Sequence, residues 1–247
     1  MTDWRITEKL AIAELDWPRI TSDLDKEGYA LLPQLLNSVQ VKALTTLVRD
    51  VDSRERWQSL ANLDLGRGNI ARLSTPLPDL LDAWREALYR QLAPIAHRWA
   101  EILGADCHYP DTLISYLRAN HEAGQTDSLT TASCLREGDF QALHQHAEDK
   151  YIFPLQLVIL LSDPDTDFTG GEFVMTEQRP RMQSRPMVLP LQQGDAALIT
   201  VAHRPHLGSK GYYRVNLKHA ISRVRGGERI GIELLFHNDA QGNPFIP

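Results

Sequence analysis

Ile152-Phe153-Pro154-Leu155-Gln156-Leu157-Val158-Ile159-Leu160-Leu161-Ser162 is apolar almost throughout and stops at Asp163-Pro164-Asp165. A short apolar run closed by turn residues reads as a buried strand. The same rhythm continues on both sides. Thr130–Leu135, Phe140–His146, Gly171–Thr176, Met187–Leu191, Ala196–His203, Tyr212–Val224 and Arg229–His237 read as further strands. Between them stand turn formers such as Gly170-Gly171, Gln193-Gly194-Asp195 and Arg225-Gly226-Gly227-Glu228. Eight strands in about 110 residues suit a sandwich or jelly roll.

The residues before this region read differently. Val39, Val41, Leu44, Leu47 and Val48 recur at helical spacing behind Leu36-Asn37-Ser38. A second helix starts after Pro76-Leu77-Pro78 and carries Leu88, Leu92, Ile95, Trp99 and Leu103, with Pro94 expected to bend or divide it. A third runs from Pro110-Asp111 through Leu113, Tyr116 and Leu117. The expected architecture is α+β, mainly β. A helical annex (1–125) packs on a jelly-roll core (126–247) in one domain of 247 residues.

Composition narrows the function. Hydrophobic residues make up 43% and charged residues 23%, so the chain is an ordinary globular protein. A net charge of −6 argues against a nucleic-acid partner. Met1-Thr2-Asp3-Trp4-Arg5 does not open a signal peptide, and no apolar run is long enough to span a bilayer. The expectation is a cytoplasmic protein without a membrane partner. Cys107 and Cys134 are expected to be buried, reduced thiols. Trp84 and Trp99 are expected in the core, and Arg179, Arg181 and Arg185 in a solvated loop.

Leu143-His144-Gln145-His146 carries the first chemical signal. On a strand, positions i and i+2 share a face, so His144 and His146 can grip one ion while Gln145 points away. The alternative is a pair of solvated histidines. His219 follows 73 residues after His146, far enough to circle a jelly roll and return to the same mouth. Three imidazoles from two strands make a metal site with open positions opposite. Gly226-Gly227 reads as a tight turn joining Tyr212–Val224 to Arg229–His237, which places Arg229 roughly 16 Å along the strand from His219. That gap suits a short dicarboxylate held between guanidinium and metal. The alternative for Arg229 is an ordinary ion pair with Glu228 or Glu233.

His144-x-His146, then His219 and Arg229 ten positions later, resemble the iron(II)- and 2-oxoglutarate-dependent oxygenases. The stretch from His219 to Arg229 is similar to the prolyl-hydroxylase-type pattern H-x(4)-V-x(2)-G-x-R. Phe153-Pro154-Leu155-Gln156, Phe168-Thr169-Gly170-Gly171-Glu172-Phe173 and Tyr213-Arg214-Val215-Asn216-Leu217 extend the resemblance to a bacterial group of that superfamily. The resemblance implies a cupin-like double-stranded β-helix and Fe(II) on His144, His146 and His219. It also implies 2-oxoglutarate on Arg229, with Gln156 as a further cosubstrate or substrate contact. The partners it implies are O2 and a small-molecule substrate.

Two departures stand out. The group has aspartate where this chain has His146, and an arginine-tyrosine pair where it has Cys134-Leu135. Glu148, Asp149 and Glu233 are candidate replacement carboxylates, none at the family's position. Two rivals follow. One is a cupin-like three-histidine dioxygenase working without 2-oxoglutarate. The other is a non-catalytic jelly roll that binds a ligand or partner.

Overall fold

The computed structural model describes residues 4–50, 57–146 and 151–240. In chain order it contains α1 (Trp4–Ala13), α2 (Trp17–Glu27), β1 (Tyr29–Leu32), α3 (Ser38–Asp50), β2 (Trp57–Ser59), β3 (Gly66–Arg67), β4 (Asn69–Arg72), α4 (Asp79–Leu103) and α5 (Leu113–Glu122). The strands then run β5 (Gln125–Ser128), β6 (Thr131–Arg136), β7 (Phe140–His144), β8 (Leu155–Leu160), β9 (Phe168–Gly170), β10 (Phe173–Gln178), β11 (Arg185–Leu189) and β12 (Ala196–Thr200). The last four are β13 (His203–Gly208), β14 (Gly211–Ile221), β15 (Val224–Leu235) and β16 (Asn238–Ala240).

Two sheets form the core. The larger has the order β1-β12-β8-β15-β6-β4-β2, with β9 also on β15. The smaller has the order β11-β10-β14-β7-β3, with β13 also on β14. Strand alternation sorts the apolar side chains into two clusters. Leu135, Val158, Leu160, Met175, Ile199, Val215 and Leu217 fill the space between the sheets. Leu155, Leu157, Ile159, Leu198, Ile232 and Leu234 face the other way, onto Trp84, Leu88, Leu92 and Trp99 of α4. This is a double-stranded β-helix with helices laid on the outer face of one sheet.

The sequence explains the helices. Asn37 caps α3 by accepting hydrogen bonds from the backbone N–H of Val39 and Gln40, each at 3.0 Å. Thr112 caps α5 through the N–H of Ser115. Trp84 and Trp99 are core residues, as expected. Pro94 does not divide α4, which continues through it for 25 residues with one long apolar face.

Several expectations need correction. The first 125 residues are not purely helical, because β1 pairs with β12, β4 with β6 and β3 with β7. Strands of two to four residues are too short to show a period in sequence. β14 and β15 do not form a hairpin either. β14 ends at Ile221 and the chain crosses to the other sheet, where β15 pairs with β6 and β8. Gly227, at φ 78°, pairs with Phe168 of β9 just past a bulge between Val224 and Gly226, and an added Cβ would lie 2.0 Å from the Asp167 carbonyl. Cys107 is exposed and Cys134 half-buried; both are free.

A buried ion pair ties the annex to the smaller sheet. The Arg204 side chain, fully buried, bonds Glu177 and donates to the carbonyls of Asp25 (2.8 Å) and Lys26 (2.9 Å) at the end of α2. These are carbonyls a helix terminus leaves without intrahelical partners. Arg179 Nε also donates to Glu177 at 2.8 Å, and Arg185 reaches Glu27 at 2.9 Å, so this arginine loop is only partly solvated.

Candidate metal centre

Strand pairing assembles the site. On β14, His219 lies directly opposite His144 of β7 and Met175 of β10. β7 ends at His144, yet the chain stays extended enough that His146 turns to the same side. The ring centroids lie 4.1 Å apart for His144 and His219, 5.4 Å for His144 and His146, and 6.0 Å for His146 and His219. All three side chains are buried.

The larger sheet brings a fourth donor. Glu233 of β15 projects into the same space. One ligand atom from each of His144, His146, His219 and Glu233 can be chosen so that all lie within 4.8 Å of one another. Glu233 Oε2 is 3.4 Å from His219 Nε2. Glu148 and Asp149, the other carboxylates considered, lie outside the described residues.

Hydrogen bonding and burial set the protonation of these groups. His144 Nδ1 is 2.9 Å from the Ala142 carbonyl, so Nδ1 carries the proton and the Nε2 lone pair faces Gln141 Nε2 at 3.3 Å. Burial pushes the His144 imidazole down to about 4, helped by the neighbouring His219, and holds His146 well below the ordinary histidine range. Both rings are therefore neutral donors near pH 7. Burial alone would raise the Glu233 carboxyl. The hydrogen bond with His219 acts the other way and holds Glu233 below the ordinary carboxylate range. Neutral imidazoles and a carboxylate are a donor set that fits Fe(II) and other first-row divalent ions.

Gln156 joins the cluster from β8. Its Nε2 is 3.2 Å from His219 Nε2 and 3.4 Å from Glu233 Oε2. Its Oε1 and the Nδ1 of His219 are buried without hydrogen-bond partners among the described residues. Register puts Gln156 opposite Leu235, so it stands at the imidazole end of the interior, away from Arg229.

Arg229 lies at the other end. It pairs with Leu135 of β6, not near Val224, and shares an inward face with Gly231 and Glu233. Four residues of strand separate Arg229 from Glu233, about 13 Å. Arg229 is 3% exposed, and its Nε donates to the Gly171 carbonyl at 2.8 Å. Burial lowers the guanidinium to about 10, with Glu233 acting the other way, so it is still a cation at neutral pH. No carboxylate lies within ion-pair distance of it among the described residues. Glu228 instead pairs with Arg49 and Arg136. A buried cation without a carboxylate partner, beside a cavity of about 200 Å³, fits the far carboxylate of a small dicarboxylate. Gly231 leaves the strand bare between guanidinium and cluster. A Cβ there would lie 3.1 Å from Arg229 Nη1 and 3.5 Å from Ser133 Oγ.

A larger cavity, about 630 Å³, lies between the end of α4 and the β13–β14 strands. Tyr109, Tyr212, Tyr213, His203, Arg214 and Pro154 are among its walls. Pro154 is two residues from Gln156 along the chain. His203 lines this cavity, whereas His206 stacks edge-on against Tyr213.

Known proteins with this sequence or fold agree on its class. Residues 68–239 match the family described as "Oxygenase, catalysing oxidative methylation of damaged DNA". An uncharacterised protein of Mycobacterium tuberculosis (strain ATCC 25618 / H37Rv) is 44% identical over 176 residues, covering 70% of this chain and 75% of its own. Among solved structures, a Pseudomonas putida prolyl-4-hydroxylase superposes with a TM-score of 0.57 at 14% identity, covering 92% of this chain and 100% of its own. An oxidoreductase of the 2OG-Fe(II) oxygenase family from Burkholderia pseudomallei gives 0.52 at 15% identity, covering 92% and 93%. The carbocyclase SnoK of nogalamycin biosynthesis, described as non-heme and alpha-ketoglutarate dependent, gives 0.54 at 13% identity, covering 92% and 85%. With a donor set suited to iron at its core, the chain belongs to the oxygenase family matched by residues 68–239 and shares the fold of those solved oxygenases.

Proposed function

We propose that this protein oxidises a small molecule with O2, using Fe(II) held by His144, His146 and His219 and 2-oxoglutarate anchored on Arg229. The observation that carries this reading is the shared inward face of β15. It puts the buried Arg229 guanidinium, which has no carboxylate within ion-pair distance among the described residues, four residues from Glu233, itself 3.4 Å from His219. When bound, iron and 2-oxoglutarate supply dioxygen activation and the electrons released by decarboxylation of the cosubstrate. The protein's own part is positional. The three rings present lone pairs to one point, and the Ala142 carbonyl fixes the tautomer of His144. Arg229 grips the far carboxylate, bare Gly231 leaves room for the chain between, and Gln156 stands as a contact at the metal end. The apolar wall of Val158, Met175, Val215 and Leu217 keeps water out.

The 630 Å³ cavity has the size for a metabolite of drug-like dimensions. A second reading comes from the family's description, which names damaged DNA. Tyrosines beside Arg214 could equally stack on an extruded base. Turnover of 2-oxoglutarate with free aromatic metabolites, compared with oligonucleotides carrying alkylated bases, separates the two. The chain's net charge of −6 favours the metabolites.

The cofactor reading is tested without a substrate. Oxygen-free protein given Fe(II) and 2-oxoglutarate should develop a visible metal-to-ligand charge-transfer band. Gly231→Val should erase that band, because an added Cβ would lie 3.0 Å from the Ile159 carbonyl and 3.1 Å from Arg229 Nη1. Iron bound with no band would favour three-histidine chemistry without 2-oxoglutarate. No metal retained would favour a binding protein.

His146→Ala should weaken metal binding by more than about tenfold, and Gln145→Ala by far less. Equal losses in calorimetric titrations would mean that position 146 is not a ligand.

A further inference from the structure

The site has a charge problem that the primary structure leaves open. Where the resembling oxygenases place an aspartate, two residues after the first histidine, this chain has His146. Three imidazoles alone would leave a divalent ion with its full positive charge in a buried space.

We propose that Glu233 supplies the missing anionic ligand from the opposite sheet, so that the centre keeps one carboxylate but takes it from β15 instead of β7. The inference rests on the metal site proposed above and adds a residue to it. Its place in the fold is well defined. Glu233 lies opposite Thr131 on one side and Val158 on the other, so neither cross-strand neighbour is a cation. It is 8% exposed, and no lysine or arginine lies within ion-pair distance of it among the described residues. Its Oε2 points at His219 Nε2 (3.4 Å) and accepts a hydrogen bond from Gln156 Nε2 (3.4 Å). A buried carboxylate without a fixed cation is costly, and a divalent ion at this point removes that cost. Arg229 does not do so, since it lies four residues down the strand. With Glu233 included, the ligands sum to one negative charge, the same as two imidazoles and an aspartate. The carboxylate has exchanged strands, and His146 fills the place it left.

Exchange can be tested by reversal. Metal-free full-length protein is titrated with Co(II) by calorimetry and by visible absorption. Glu233→Gln should bind Co(II) about 30-fold more weakly than the parent protein. Adding His146→Asp to Glu233→Gln should restore affinity to within about threefold, because the carboxylate returns to the family's position. Parent-like affinity in Glu233→Gln, with binding abolished in His144→Ala, would overturn the role of Glu233 and leave the three-histidine site standing. A double variant no better than Glu233→Gln would also overturn it. Failure of the parent protein to bind Co(II) would remove the site itself. Metal-free Glu233→Gln should melt at or above the parent temperature, since an unpaired buried anion is gone. A variant that cannot fold without metal would assign the carboxylate to the fold and end the proposal.

Discussion

His219→Ala should lower metal affinity by at least about a hundredfold and reduce substrate oxidation to background. No other side chain in the cluster has as many neighbours in it. His219 faces His144 across the β7–β14 ladder, and its Nε2 reaches both Gln156 and Glu233. Its ring also stacks on Phe173, with centroids 5.8 Å apart and planes 12° from parallel. Truncation therefore removes a donor and the packing that aims it. The fold should survive, at a cost of about 1–3 kcal/mol for the cavity. Circular dichroism, calorimetric titration with Fe(II) under argon and oxygen-uptake assays check the three parts separately. A folded variant that still binds iron like the parent would show that the ion sits elsewhere.

Arg204→Met should destabilise the protein by about 3–5 kcal/mol in urea unfolding, far more than an average surface arginine. The substitution takes from Glu177, 1% exposed, its buried cation and leaves it Arg179 at 2.8 Å, and it leaves the Asp25 and Lys26 carbonyls without their donor. Replacing both partners, as in Arg204→Met with Glu177→Leu, should recover part of the loss. It cannot recover all of it while the α2 carbonyls stay unpaired. The effect carries a pH signature. Burial would raise the Glu177 carboxyl, but the hydrogen bond from Arg179 and the charge of Arg204 hold it below the ordinary range. The pair's contribution is thus fully present above the unfolded-state value, near 4.3, and fades as pH falls through the lower folded one. The gap between parent and Arg204→Met should narrow in acid. A gap independent of pH would mean that the carbonyl contacts, not the ion pair, carry the stability.

These predictions draw on residues that were unequally visible in the sequence. His144, His146 and His219 could be picked out because a strand repeats every two residues and the third histidine sits at a motif distance. The jelly roll was legible from apolar runs cut by turn residues. Glu233 was only one of three candidate carboxylates, because its partnership depends on which strands pair across the barrel. Gly226-Gly227 misled for a related reason. Two glycines read as a hairpin, whereas the chain had already changed sheets and pairs them with β9 just past a bulge. Arg204 gave no signal at all, since nothing local separates a buried arginine from a solvated one. β2 and β3 were invisible because they are two or three residues long and borrow their geometry from neighbours.

The crossing between Ile221 and Val224 has one more consequence. His144 and His219 hang from one sheet, while Gln156, Arg229 and Glu233 hang from the other. An ion with its cosubstrate would therefore act as a clasp across a seam, and the force that seats it would press the two halves of the barrel together. Filling the centre would then stabilise the folded barrel, and a chelator that strips the ion would loosen the seam.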